Sequence, residues 1–165
     1  MIRRKALSLE QALQKARHYC GYQDRCHREV QEKLYSFGLR KSEVEQGVAI
    51  LIEEGYLNEE RYAVQYAGGH FRLKSWGRVR IRFELKQKGV SDYCIKKALA
   101  AIGEEEYEQA LARLAEEKAE TLAGEPNAFI RRQKLQEYLV RKGYEQDKIM
   151  STLQHGFTDR NDHPA

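Results

Sequence analysis

The stretch that decides the fold is Phe71-Arg72-Leu73-Lys74-Ser75-Trp76-Gly77-Arg78-Val79-Arg80-Ile81-Arg82-Phe83-Glu84-Leu85-Lys86-Gln87-Lys88-Gly89-Val90. Ile81 and Leu85 stand four residues apart, on one face of a helix, and Gly89 follows where such a helix would close. The same skeleton stands 51 residues earlier and 54 residues later. Val30, Leu34, Gly38, Val44 and Val48 reappear as Ile81, Leu85, Gly89, Ile95 and Leu99, and again as Leu135, Leu139, Gly143, Ile149 and Leu153. Five matched positions in three copies, in a chain with 12 glycines, mark an internal repeat.

Working outward, each copy needs a further helix in front. Ala12-Leu13-x-x-Ala16 lies over Ala63-Val64-x-x-Ala67, and Ala110-Leu111-x-x-Leu114 supplies the third at a shorter shift, the difference falling in the loop around Gly124-Glu125-Pro126. In the first copy Ser8-Leu9-Glu10-Gln11 predicts a capping box opening a helix to about Cys20, stopped by Gly21. Asp24 is expected to cap a second helix to about Phe37, closed by Gly38, and a third runs from about Lys41 to Glu54. Gly55 as a helix stop and Asn58 as the next N-cap leave a short joint. The fold class expected is all-α: three tandem three-helix repeats at 8–54, 58–102 and 104–154, with 155–165 as a frayed tail. Only 2 prolines interrupt the 165 residues, and 33% of them are charged, which suits an elongated array with a thin core better than a sphere.

Charge is concentrated in the middle repeat. Residues 61–97 hold ten Lys/Arg against Glu84 and Asp92, about +8 in a chain whose total is +4. Such a field fits a polyanion or an acidic partner, because otherwise the charges only repel one another. On a helical projection Trp76, Val79 and Phe83 fall nearly opposite the Ile81–Leu85 face, making a second apolar stripe that the other copies lack as a set. Beside it runs the basic row Arg78, Arg82 and Lys86 at four-residue spacing. An aromatic pair next to a basic row suits an interface with both a protein and a phosphate backbone.

Other classes have little support. The apolar runs, such as Val48-Ala49-Ile50-Leu51-Ile52, fall well short of the roughly 20 residues that span a bilayer. No apolar segment follows Met1-Ile2-Arg3-Arg4-Lys5 as a secretory signal requires, so a cytoplasmic protein with no membrane association is expected. Cys20, Cys26 and Cys94 are odd in number and lack a C-x-x-C pair, as reduced packing thiols would be. His18, Cys20, Cys26 and His27 offer zinc-type donors, but not at any usual spacing. No phosphate-binding loop, G-x-S-x-G elbow or H-E-x-x-H motif occurs, so no enzyme, catalytic residue, metal or cofactor is expected.

The chain resembles the RecX family, bacterial regulators of the recombinase RecA. The resemblance rests on Gly55-Tyr56-Leu57 running into Arg61-Tyr62-Ala63, on Lys74-x-x-Gly77-x-x-Arg80-Ile81-x-x-Glu84-Leu85-x-x-Lys88-Gly89-Val90, and on Lys134-Leu135-x-x-Tyr138-Leu139-x-x-Lys142-Gly143-Tyr144, within about residues 10–155. Asn58-Glu59 stands where the family usually has a pair of Asp, and Cys26 where it often has Ser. The resemblance implies a curved rod of three-helix repeats that lodges in the groove of the RecA filament on single-stranded DNA and limits its growth, ATPase and strand exchange, without catalysis. Its implied partners are the RecA filament and the phosphate backbone of single-stranded DNA, without sequence specificity, and a monomer is expected. The residues expected at that filament and DNA interface are Arg72, Lys74, Trp76, Arg78, Arg80, Arg82, Phe83, Lys86 and Lys88. The alternatives are a stand-alone helix-turn-helix-like nucleic-acid module, which needs mainly polar and basic contacts, and a metal-dependent nuclease, which needs clustered carboxylates beside the basic surface, of which the middle repeat has almost none.

Overall fold

The structure, a computed structural model, describes residues 5–155. Among these it has nine helices and no strand: α1 (Leu9–Tyr22), α2 (His27–Ser36), α3 (Lys41–Glu53), α4 (Glu59–Lys74), α5 (Arg78–Gln87), α6 (Asp92–Ala100), α7 (Glu104–Thr121), α8 (Ala128–Lys142) and α9 (Gln146–His155). They fall into three tandem triplets. The tail expected to fray, 155–165, lies outside the described residues apart from His155, the last residue of α9.

Local chemistry explains several helix ends. The Ser8 hydroxyl accepts from the Gln11 amide while the Gln11 side chain accepts from the Ser8 amide, the reciprocal capping box expected at α1. Asn58 caps α4 by accepting from the Arg61 amide at 2.9 Å. One expectation is corrected: α2 begins at His27 behind Cys26, and Asp24 is not its cap. The Asp24 carboxylate instead accepts from Arg61 Nε at 2.8 Å. α1 also runs through Gly21 to Tyr22.

The repeat skeleton is the core. Val30, Leu34, Val44 and Val48, their counterparts Ile81, Leu85, Ile95 and Leu99, and Leu135, Leu139, Ile149 and Leu153 are all buried. Each such side chain contributes roughly 1.5–3 kcal/mol by leaving water. Gly38, Gly89 and Gly143 all have positive φ (87°, 77° and 97°), the left-handed cap that lets the chain turn back after the second helix of each triplet. This is why a glycine recurs there.

The chain divides into two compact units. One gathers residues up to Tyr66 together with Leu85–Ala98, and the other gathers Ala67–Glu84 with the chain from Leu99 onward. In the first, Ala12, Leu13, Ala16, Val30, Leu34, Val44, Leu51 and Leu57 form one cluster on which Tyr19 and Phe37 pack. In the second, Tyr107 is fully buried between Phe71 and Tyr144, with ring centroids 5.9 and 5.1 Å away.

Candidate interaction surface on helices α4 and α5

Within the second unit, two of the sequence pieces that carried the resemblance meet. The end of α8 seats against the turn between α4 and α5. Gly77 N–H donates to the Lys142 carbonyl at 2.8 Å and Val79 N–H to the Gly143 carbonyl at 2.9 Å, while Lys142 Nζ donates to the Lys74 carbonyl and the Tyr144 hydroxyl to the Ser75 carbonyl, each at 3.0 Å. A Cβ at Gly77 would run into the Gly143 carbonyl, and one at Gly143 would run into Arg80. Two glycines facing each other let backbone meet backbone. Burial pushes the Tyr144 phenol up to about 12, so it remains a hydrogen-bond donor.

Arg78, the first residue of α5, is turned inward. Its guanidinium lies over the Tyr107 ring at 3.9 Å, donates to the Ile102 carbonyl (3.2 Å) and to Glu104 Oε2 (3.0 Å), and pairs with Glu145 at 3.7 Å. Its backbone N–H donates to the Tyr107 hydroxyl at 3.0 Å, and that hydroxyl donates to Glu145 Oε1. Burial, followed by the Glu145 hydrogen bond, holds the Tyr107 phenol far above its ordinary range. Hydrogen bonds from Lys148 and then Arg78 hold Glu104 below the usual carboxylate value. Arg78 is a structural clamp, with its donors spent inside the unit.

Trp76 is buried as well, at 8% exposure, stacked on His70 at 4.6 Å and covered by the Arg80 guanidinium at 4.2 Å. The expectation that Trp76 shares an exposed stripe with Val79 and Phe83 is corrected here. α5 starts at Arg78, so a helical projection does not extend back to Trp76, which lies in the turn. Val79 (52%) and Phe83 (60%) do face solvent, beside the exposed Arg82, whose guanidinium makes no ion pair or hydrogen bond among the described residues. Arg72 and Lys74 are exposed at the end of α4, with Lys74 Nζ 5.2 Å from the Trp76 ring. Between them stands Leu73, at 88% the most exposed large apolar side chain among the described residues and absent from the sequence-derived set. An apolar residue between two cations at the end of a helix was the available signal.

The remaining expected residues belong to the first unit. Lys86 pairs at 3.3 Å with the exposed Asp92, and half-buried Lys88 reaches the Tyr66 ring at 5.7 Å. In the same unit Arg28 donates to the Gln87 carbonyl and lies against Gly89. Cys26, whose place in the repeat is that of Gly77, donates from Sγ to Glu29 at 3.1 Å. Burial pushes the Cys20, Cys26 and Cys94 thiols up, so they are packing residues in the protonated form. Among the described residues no group of His, Cys, Asp or Glu could hold a metal ion, and no helix is long and apolar enough to cross a membrane.

Comparison with known proteins places this geometry. Family models for the second and third three-helix domains of RecX match residues 58–99 and 104–153. The regulatory protein RecX of Clostridium perfringens (strain 13 / Type A) is 33% identical over 121 residues, covering 73% of this chain and 56% of that protein. RecX of Bacillus cytotoxicus is 28% identical over 155 residues, covering 93% and 57%. The chain thus spans a little over half the length of these curated relatives. The crystal structure of RecX from Lactobacillus salivarius superposes with a TM-score of 0.82 at 24% identity, over 88% of this chain and 94% of that one. A second crystal structure of regulatory protein RecX gives 0.81 at 23% identity, over 88% and 71%. At these identities the two structures speak for the fold alone. With two tandem domain models on the sequence and three-helix repeats in the structure, the chain belongs to the RecX family of regulatory proteins.

Proposed function

We propose that this chain regulates the RecA recombinase, mainly as an inhibitor, by binding the RecA filament on single-stranded DNA and limiting its growth, ATP hydrolysis and strand exchange. Family membership supports the regulatory role. The observation that carries the mode of action is the exposed pair Phe83 and Arg82 on α5, an aromatic side chain beside a cation with no internal partner. Arg82 suits a phosphate, and Phe83 with Val79 suits an apolar contact on protein. Arg72 and Lys74 extend the basic surface, while Arg80 acts by covering Trp76. Arg78 and Trp76 serve by fixing the start of α5.

The test adds the protein to purified RecA on single-stranded DNA and follows ATP hydrolysis and strand exchange. Both should fall as protein approaches stoichiometry with RecA. If neither changes, the reading fails, and DNA binding without any effect on RecA favours the stand-alone nucleic-acid module.

A further inference from the structure

α4 carries a feature that its own packing does not explain. Gly68 and Gly69 sit consecutively in the middle of this 16-residue helix, where glycine is the poorest choice after proline. Gly68 has an internal neighbour: a Cβ there would meet Arg72 Nη1 at 2.8 Å, so the glycine lets that guanidinium lie back along the helix. Gly69 has none, since a Cβ would meet nothing within 4 Å. A bare backbone kept open in a helix suits close approach by something outside the chain.

One turn further on the same face stands Leu73, 88% exposed between the exposed Arg72 and Lys74. The backbone just beyond it is fixed. Ser75 holds a left-handed φ of 55°, the only non-glycine to do so among the described residues, and its hydroxyl accepts from Arg113 Nη2 at 3.0 Å. The Lys74 and Ser75 carbonyls accept from Lys142 and Tyr144, so three side chains of the third repeat hold the turn that ends α4. Leu73 is therefore presented to water by a backbone with little freedom left to lose on binding.

We propose that the Gly69–Leu73 face of α4 is a protein-docking surface, in which Leu73 enters an apolar pocket rimmed by carboxylates that meet Arg72 and Lys74, while Gly69 lets the partner's surface approach the helix backbone. The occupant is protein rather than nucleic acid, because an aliphatic side chain offers a single-stranded base neither ring stacking nor a hydrogen bond, and the flanking cations set the sign of the rim. The inference rests on the filament reading above, which makes the partner surface that of a recombinase subunit.

The test compares wild type, Leu73→Asn and Gly69→Ala by fluorescence anisotropy. One probe is a RecA filament assembled on labelled oligo-dT with a non-hydrolysable ATP analogue, and the other is the same oligo-dT bare. Both variants should bind bare oligo-dT within twofold of wild type and lose affinity for the filament, by tenfold or more for Leu73→Asn. Gly69→Ala should meanwhile melt about 2–4 °C higher, a gain in stability paired with a loss of binding. Filament binding by Leu73→Asn within twofold of wild type overturns the proposal and leaves the filament reading standing. Equal losses on both probes assign the face to nucleic acid, and a lower melting temperature for Gly69→Ala exposes an internal need for the glycine; either result overturns it. A wild-type protein that ignores filaments overturns both readings together.

Discussion

Gly77 donates its amide to the Lys142 carbonyl and presses its Cα face against the Gly143 carbonyl, leaving no room for a side chain. The start of α5 is thereby fixed on the end of α8. Gly77→Ala forces two backbones apart, and neither can yield as a flexible side chain would. The expected cost is about 1–3 kcal/mol or more, read as a lower midpoint in urea. The same substitution at Gly69, where nothing is touched, should not lower the midpoint.

Leu85 is fully buried at the second core position of the middle repeat. Truncation to Ala removes its transfer energy and leaves a cavity, so Leu85→Ala should cost about 2–5 kcal/mol by chemical denaturation. Arg82→Ala, on the exposed side of the same helix, should change stability by no more than about 0.5 kcal/mol.

The ion pairs of Glu104 with Lys148 and Arg78 make part of the stability depend on pH. The folded-state pKa of Glu104 lies below its ordinary value of 4.5, so its contribution is present above that value and is lost as pH falls through the depressed one. The melting temperature should therefore drop on acidification below about pH 4.5, and Glu104→Gln should shrink the drop. Because Glu104 is solvent-exposed, high salt should produce part of the same loss at neutral pH.

Arg78 and Arg82 separate clamp from contact. Arg78→Ala leaves Glu145 and the face of the Tyr107 ring without their cation and should lower the melting temperature. Arg82→Ala should leave it unchanged while weakening association with single-stranded DNA. If Arg82 faces one phosphate, the slope of log K against log salt should become shallower by about 0.7.

The repeat and its core were legible because burial on one helix face writes a period of 3.6 into the sequence, and Leu34, Leu85 and Leu139 carry it with a glycine four residues on. Local caps were legible where the partner is local, as between Ser8 and Gln11. Asp24 was not, because its carboxylate is taken by Arg61, 37 residues away. The same holds at the surface. Phe83 and Arg82 could be placed from their spacing inside α5, whereas Trp76 lies before that helix begins, and Arg78 is drawn inward by Tyr107 and Glu104 of α7 and by Glu145, the residue before α9. Which cation meets solvent and which meets a buried phenol depends on tertiary neighbours that no local pattern records.

The measurement that bears most directly on the account is RecA-catalysed ATP hydrolysis on single-stranded DNA, titrated with wild type and with the Arg82→Ala, Phe83→Ala double variant. Both proteins should melt at nearly the same temperature, the wild type should suppress hydrolysis near stoichiometry with RecA, and the double variant should leave it largely intact. A stable double variant that suppresses hydrolysis as fully as wild type would contradict the account and remove α5 from the mechanism.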